Sequence, residues 1–183
     1  MRNATETLIK YRSLVGIIAL IVVMVLATPD VRSIVIGFFV MMLGMFFRAW
    51  SSGYIDKDRE LATQGPYSLT RNPLYFGNLL IGAGIAVASN NWRTVLICAV
   101  YYVFFFTFLI VVERKRMKAR FGARYEEWAR QANLFFPRFK KIENANFDIA
   151  LYMKNREYRV LFYSLFVIVV LVVKFLKRIG FIG

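Results

Sequence analysis

Gly65-Pro-Tyr-Ser-Leu-Thr-Arg-Asn-Pro-Leu-Tyr-Phe-Gly-Asn-Leu-Leu-Ile-Gly-Ala-Gly84 joins a polar segment of the chain to a hydrophobic one. Pro73 suits the first turn of a helix, because its missing N–H would have no partner there and its φ angle is already helical. The stretch therefore predicts a helix that begins near Leu74. Arg71 and Asn72 would lie just before this helix, where free backbone N–H groups and the positive end of the helix dipole favour an anion. We expect a small anionic ligand to dock here.

The composition places the chain in a membrane. Of the 183 residues, 58% are hydrophobic and 17% are aromatic, which is too apolar for a soluble domain of this size. The formal net charge of +14 suits either nucleic acid or an anionic membrane surface. Because the hydrophobicity decides between these two, we expect anionic membrane lipids as partners and no nucleic acid.

The chain has no histidine and a single cysteine, Cys98, which lies inside an apolar run. One cysteine excludes an intramolecular disulfide and a cysteine-based metal site. The absence of histidine removes the commonest general base and the commonest metal ligand. The sequence therefore predicts no metal site, and any chemistry falls to carboxylates, tyrosines, arginines and amides.

Long apolar runs predict an all-α polytopic membrane protein with about five transmembrane helices and a cytoplasmic helical segment. The runs cover residues 13–28, 31–47, 74–88, 94–112 and 158–176. Thr28-Pro29-Asp30 predicts a tight turn between the first two spans, with Asp30 as the N-cap of the second. The first two spans therefore form a hairpin.

The charged segment after the fourth span is also predicted to be helical, over residues 114–136. Its apolar residues recur at spacings of three and four, so they share one helix face; they are Met117, Phe121, Tyr125 and Trp128. Gly122 interrupts this helix and Pro137 ends it. We expect the helix to lie either on the membrane or against the loop before the third span.

The distribution of basic residues predicts the orientation. The N-terminus and the loops after the second and fourth spans hold 20 of the 25 Lys and Arg residues. By the positive-inside rule these segments face the cytoplasm, and the membrane is the inner or plasma membrane if the protein is prokaryotic. Three basic residues near the C-terminus would then lie outside, unless the fifth apolar segment re-enters the membrane instead of crossing it.

Three blocks in the sequence resemble the isoprenylcysteine carboxyl methyltransferase and phospholipid methyltransferase superfamily. The first is Leu61-Ala-Thr-Gln-Gly-Pro-Tyr-Ser-Leu-Thr-Arg-Asn-Pro-Leu-Tyr-Phe-Gly77, the second is Gly82-Ala-Gly84, and the third is Glu113-Arg-Lys-Arg-Met-Lys-Ala-Arg-Phe-Gly122 with Tyr125 and Trp128. The resemblance covers roughly residues 60–137. It implies an integral membrane fold that uses S-adenosylmethionine to methylate a lipophilic or membrane-associated acceptor, which is a carboxylate, an amine or a thiol.

The resemblance also implies site residues. The catalytic residues would be Arg71, Asn72 and Tyr75. The cofactor-binding residues would be Tyr67, Arg71, Asn72, Tyr75, Gly77, Asn78, Gly82, Gly84 and Glu113. Arg71 can pair with the methionyl carboxylate and Glu113 with the ammonium group or ribose hydroxyls, while Tyr75 can present its ring to the sulfonium.

Two positions depart from the family pattern. Asn72 stands where the family usually has histidine, and Arg114 stands where the second glutamate of a pair would be. The alternative is therefore a non-catalytic methyltransferase-like membrane subunit that binds a partner protein or lipid. A small transporter or lipid-binding protein is a third hypothesis. The acceptor stays open among a prenylcysteine, a phospholipid amine, a quinone-like ring and a small thiol.

The sequence divides into a methyltransferase-like body at residues 1–137, with site segments 60–84 and 113–137, and a tail at residues 138–183. The tail is a basic linker followed by the C-terminal hydrophobic helix, and it is the place where a protein partner would bind. Methyl transfer does not itself require a further apolar helix. We therefore expect truncation after Phe139 to leave cofactor binding within a few-fold of the intact chain.

Overall fold

The structure, a computed structural model, describes residues 2–56, 59–138, 142 and 146–182, with side chains from residue 10 onward. Lys57 and Asp58 of the charged loop, and Lys140 and Lys141 of the basic linker, lie outside the described residues. The helices are α1 (Arg2–Leu26), α2 (Val31–Ser52), α3 (Pro66–Leu69), α4 (Pro73–Ala88), α5 (Trp92–Gln131), α6 (Ile149–Lys154) and α7 (Tyr158–Arg178).

The predicted fold class is confirmed. Within the described part of the chain α2, α5 and α7 are long and apolar enough to cross a membrane, and α4 is a shorter apolar helix of 16 residues. The helix predicted near Leu74 begins at Pro73, its expected first-turn residue. The chain is an all-α polytopic membrane protein.

One end of the bundle holds the turns that join α1 to α2 and α4 to α5. Asp30 is the N-cap of α2, as predicted, and its Oδ1 accepts a 2.7 Å hydrogen bond from the Ser33 amide. The Thr28 amide donates to the Ser89 carbonyl over 2.8 Å, and the Thr28 hydroxyl donates to the Asn90 carbonyl over 3.0 Å. These bonds fix the two turns side by side, so we call this the turn end.

Glycines allow α2 and α4 to pack closely. A Cβ on Gly84 would lie 2.6 Å from the carbonyl oxygen of Gly37, and a Cβ on Gly44 would lie 2.6 Å from the carbonyl oxygen of Gly77. Small residues at such a crossing let two backbones touch inside a membrane. Met41 of α2 is fully buried in this contact.

Helix α7 runs the whole length of the bundle. Near its end Lys174 donates a 2.7 Å hydrogen bond to the Met24 carbonyl, and Arg178 donates a 3.0 Å bond to the Thr28 carbonyl. Glu157, just before its start, contacts Arg48 near the opposite end of α2. The fifth apolar segment therefore crosses the bundle as one continuous helix, which favours a full span over a re-entrant segment. Lys174 thus satisfies a carbonyl group in the last turn of α1 that has no partner within that helix, and Arg178 bonds the turn that follows.

Helix α5 is 40 residues long, about 60 Å, whereas a membrane core of about 30 Å needs only about 20 residues. Its second half therefore extends beyond the membrane, and we call residues 113–131 the α5 extension. Gly122 breaks the helix as predicted, with φ 52° and ψ −128°. The predicted end at Pro137 is wrong, because the helix ends at Gln131 and an extended segment follows.

Candidate active site

A cavity of about 500 Å³ lies at the end of the bundle opposite the turn end. Its wall combines α1, α2, the loop after α2, α3, α4, α5 and the start of α7. Charged side chains of both signs line it: Arg12, Arg48, Asp56, Glu60, Arg71, Glu113, Arg114, Arg116 and Glu157. The two segments predicted to carry the site therefore meet at one end of the bundle.

Six of the nine predicted site residues line the cavity together. They are Tyr67, Arg71, Asn72, Tyr75, Asn78 and Glu113. Three separate elements supply them, namely α3 with the bend that follows it, the first turns of α4, and the α5 extension. The fold thus brings together positions that are up to 46 residues apart along the chain.

The bend between α3 and α4 is held by the extended segment that follows α5. The Arg71 amide donates to the Asn133 carbonyl over 2.8 Å, and the Thr70 hydroxyl donates to the Phe135 carbonyl over 2.8 Å. The Arg138 amide donates to the Leu69 carbonyl over 2.9 Å. Because these partners are available only to an extended backbone, the chain leaves the helical conformation after Gln131.

Two polar atoms in the cavity wall are buried without a hydrogen-bond partner among the described residues. They are the Nε of Arg71 and the hydroxyl oxygen of Tyr67. An arginine Nε can only donate, so it needs an acceptor, and leaving such a buried donor unpaired costs about 1–3 kcal/mol or more. Burial raises the pKa of the Tyr67 hydroxyl far above its ordinary value, so this group stays protonated. A ligand that carries acceptor oxygens and reaches these two atoms would give both of them a hydrogen-bond partner.

The α5 extension closes the cavity on one side. The residues of its predicted apolar face all line the cavity: Met117, Phe121, Tyr125 and Trp128. The indole Nε1 of Trp128 donates a 3.2 Å hydrogen bond to the Tyr67 carbonyl. Of the two predicted placements, the one against the loop before the third span is therefore confirmed.

Two of the predicted catalytic residues have contacts within the protein. The amide Nδ2 of Asn72 donates a 2.7 Å bond to the Leu134 carbonyl, so this side chain ties the bend to the extended segment. The Tyr75 ring packs against Phe106 with centroids 5.5 Å apart. Both residues line the cavity, and their roles in catalysis stay predictions.

The predicted glycines lie outside the cavity lining. A Cβ on Gly77 would lie 2.7 Å from Cγ of Arg48, and one on Gly84 would contact α2. A Cβ on Gly82 would collide with the ring of Tyr102, which itself lines the cavity. The structure gives these three glycines a packing role between helices, and direct contact with a cofactor stays a prediction.

Sequence reasoning missed a buried ion pair in the cavity wall. Arg48 Nε lies 3.0 Å from Glu157 Oε2, and Nη2 of the same arginine lies 2.8 Å from Oε1. The two side chains are 13% and 7% exposed. The sequence gives little indication of this ion pair. Arg48 has the position of a basic residue that flanks a span, and Glu157 is an acid within a basic segment.

Aromatic side chains of the fourth span form another part of the cavity wall. Tyr101, Tyr102, Phe105 and Phe106 line the cavity, while Phe104 points outward and is 57% exposed. These rings lie on the membrane-spanning half of α5. The cavity therefore has a charged region near Arg71 and an aromatic wall within the span.

Comparison with known proteins identifies the family of the chain. The sequence profile of the phospholipid methyltransferase family matches residues 11–124, which is more than half of the chain. The cobalt-zinc-cadmium resistance protein CzcN of Cupriavidus metallidurans is 33% identical over 93 residues, and the nickel-cobalt-cadmium resistance protein NccN of Alcaligenes xylosoxydans xylosoxydans is 31% identical over 93 residues. Each alignment covers 50% of this chain and 43% of the relative, so the chain matches less than half the length of these proteins. No solved structure matches the chain.

Proposed function

Because the chain belongs to the phospholipid methyltransferase family, we propose that it transfers a methyl group from S-adenosylmethionine to a lipophilic, membrane-associated acceptor. Membership of this family supports methyl transfer as the type of reaction. The cofactor and the nature of the acceptor are our inferences from the cavity.

One observation carries the proposal for the cofactor. The buried Nε of Arg71 and the hydroxyl of Tyr67 lack partners among the described residues, and both belong to side chains that line the same cavity. A carboxylate is the preferred partner of a guanidinium, and S-adenosylmethionine carries one on its methionyl end. The residues present therefore fit the cofactor.

The cavity residues would divide the binding between them. Arg71 would hold the methionyl carboxylate, and Glu113 would hold the ammonium group or the ribose hydroxyls. Tyr75 would place an aromatic ring near the sulfonium, whose positive charge an aromatic face attracts. When bound, S-adenosylmethionine would supply an electrophilic methyl group for in-line displacement.

The chain itself would supply alignment and exclusion of water. The α5 extension covers the cavity with the apolar face that ends at Trp128. A carboxylate acceptor needs no base, because its nucleophilic oxygen is already charged. An amine or thiol acceptor must lose a proton, and Glu60 is a cavity carboxylate that can take it while Glu113 holds the cofactor.

The aromatic wall supports a lipophilic acceptor. Its four rings lie on the half of α5 that is apolar enough to cross the membrane. An acceptor with a hydrocarbon tail would bury apolar surface here, which stabilises binding by about 25 cal/mol for every Å² removed from water. A water-soluble acceptor would gain little from this wall.

The names of the two relatives refer to resistance to cobalt, zinc, nickel and cadmium. We do not carry this role to the present chain, because the aligned part is less than half of each relative. The described residues also bring together no group of three His, Cys, Asp or Glu side chains that would hold a metal ion.

The test uses S-adenosylmethionine with a tritiated methyl group, added to membranes that contain the full chain. We expect label to enter the fraction extracted by organic solvent, and we expect Arg71→Ala to abolish this incorporation. A wild-type chain that binds the cofactor without transferring label to membrane lipid or to added prenylcysteine would favour the non-catalytic alternative. A wild-type chain that does not bind it would overturn the proposal.

A further inference from the structure

The C-terminal tail contributes a buried acid to the cavity. Glu157 lies beyond residues 11–124, which the family profile matches, and it comes directly before α7. Both of its carboxylate oxygens contact the Arg48 guanidinium, at 2.8 Å and 2.7 Å from Nη2. Such a two-oxygen contact fixes the plane of the guanidinium, because the donors form a rigid fork.

The same guanidinium orients a third residue. Nη1 of Arg48 donates a 2.7 Å hydrogen bond to Oδ1 of Asn78, one of the predicted cofactor-binding residues. Since arginine can only donate, the Asn78 oxygen must face Arg48 and its NH₂ group must point away from it. Asn78 lines the cavity, and its Nδ2 has no hydrogen-bond partner among the described residues.

We propose that Glu157 is a positioning residue of the cavity: it holds Arg48, and through Arg48 it turns the NH₂ group of Asn78 toward an acceptor atom of the bound cofactor. The inference rests on the proposed function, because it takes S-adenosylmethionine as the ligand. It makes cofactor binding depend on the docking of the C-terminal tail, and it replaces the expectation that truncation after Phe139 is harmless.

Other contacts keep the tail in place for this role. The side-chain Nδ2 of Asn155 donates to the carbonyls of Ser52 and Ile55, over 3.0 Å and 2.9 Å. Lys154 forms a 2.6 Å ion pair with Asp56. These bonds bind the tail to the loop that lines the cavity, only two or three residues before Glu157.

The experiment measures S-adenosylmethionine binding to the purified full chain in detergent. Glu157→Gln keeps the size of the side chain and removes its charge, and Asn78→Asp keeps the oxygen that faces Arg48 and removes the NH₂ group. We expect each change to weaken binding at least 10-fold. Glu127→Gln, at an exposed glutamate of the α5 extension, is the matched control and should stay within two-fold of wild type.

A double variant, Arg48→Met with Glu157→Met, separates positioning from the burial of an unpaired charge. Replacing both members of a buried pair by apolar residues usually leaves the fold intact. We expect this variant to keep the wild-type melting temperature within a few degrees and still to bind at least 10-fold more weakly. Wild-type affinity in the double variant or in Asn78→Asp would overturn the inference and leave Glu157 a purely structural residue. A wild-type chain that binds no cofactor would instead overturn the proposed function.

Discussion

The indole Nε1 of Trp128 donates a hydrogen bond to the backbone carbonyl of Tyr67 over 3.2 Å. This bond joins two segments that are 61 residues apart in sequence. It places the α5 extension over α3, beside the buried hydroxyl of Tyr67. The position of the extension depends in turn on the break at Gly122, which redirects the helix after it leaves the membrane.

The break at Gly122 gives the first prediction. Its φ of 52° and ψ of −128° are open to glycine and strained for other residues, although a Cβ there would meet no atom within 4 Å. We expect Gly122→Ala to cost about 1–3 kcal/mol of backbone strain and to weaken cofactor affinity roughly 5- to 150-fold. Gly180→Ala is the control, since Gly180 also has a positive φ, of 75°, and open space but lies beyond α7. Equal affinity in both variants would show that the extension does not cover the ligand.

The unpaired hydroxyl of Tyr67 gives the second prediction. Because the hydroxyl has no partner within the described residues, Tyr67→Phe removes no internal hydrogen bond, and the melting temperature should stay the same or rise. If the hydroxyl binds the cofactor, affinity should fall by about 0.5–1.5 kcal/mol, roughly 2- to 12-fold. Tyr163→Phe, whose side chain is exposed on α7, should change neither quantity. A lower melting temperature with unchanged affinity would assign the hydroxyl to the fold.

The glycines of α4 give the third prediction, which separates packing from ligand contact. Gly84→Ala would force α4 away from the Gly37 carbonyl, so we expect a loss of about 1–3 kcal/mol in the free energy of unfolding and cofactor affinity within two-fold. Gly82→Ala would move the ring of Tyr102, a cavity residue, and should weaken cofactor binding. Calorimetry of the two variants measures both effects. If Gly84→Ala lost affinity for the cofactor at unchanged stability, Gly84 would be assigned to the cofactor-binding site.

The charge distribution gives the fourth prediction, on topology. We expect the cavity end to face the cytoplasm and the turn end to face outward. In a Cys98→Ser background, Ala123→Cys should react with a membrane-impermeant maleimide only after the cells are opened, whereas Phe181→Cys should react in intact cells. Both positions are exposed. The opposite labelling pattern would invert the orientation.

Much of the fold followed from local signals in the sequence. The apolar runs predicted the spans, Pro73 predicted the start of α4, and Asp30 predicted a cap, because each of these depends on residues close together in the chain. The apolar face of the α5 extension was found in the same way. The end of that helix at Gln131 was not predicted. The residues after it bond to a segment that is distant in sequence, as in the hydrogen bond from the Arg71 amide to the Asn133 carbonyl.

The site was only partly predictable for the same reason. The motif around Arg71 and Tyr75 is continuous in sequence, so it could be recognised directly. Glu157 reaches the cavity only because α7 packs against α2. Its partner Arg48 lies 109 residues earlier in the chain. Arg12 also lines the cavity, although in sequence it reads as a basic residue at the start of a span. Neither contact leaves a local pattern.

The most direct test of the account is the equilibrium binding of S-adenosylmethionine to the purified full chain and to its Arg71→Ala variant. Loss of a hydrogen bond to a charged group costs about 1.5–3 kcal/mol, so we predict that the variant binds roughly 10- to 150-fold more weakly. Arg32→Ala, at the turn end, should bind like the wild type. Equal affinity in the wild type and Arg71→Ala would contradict the assignment of the cavity as the cofactor site.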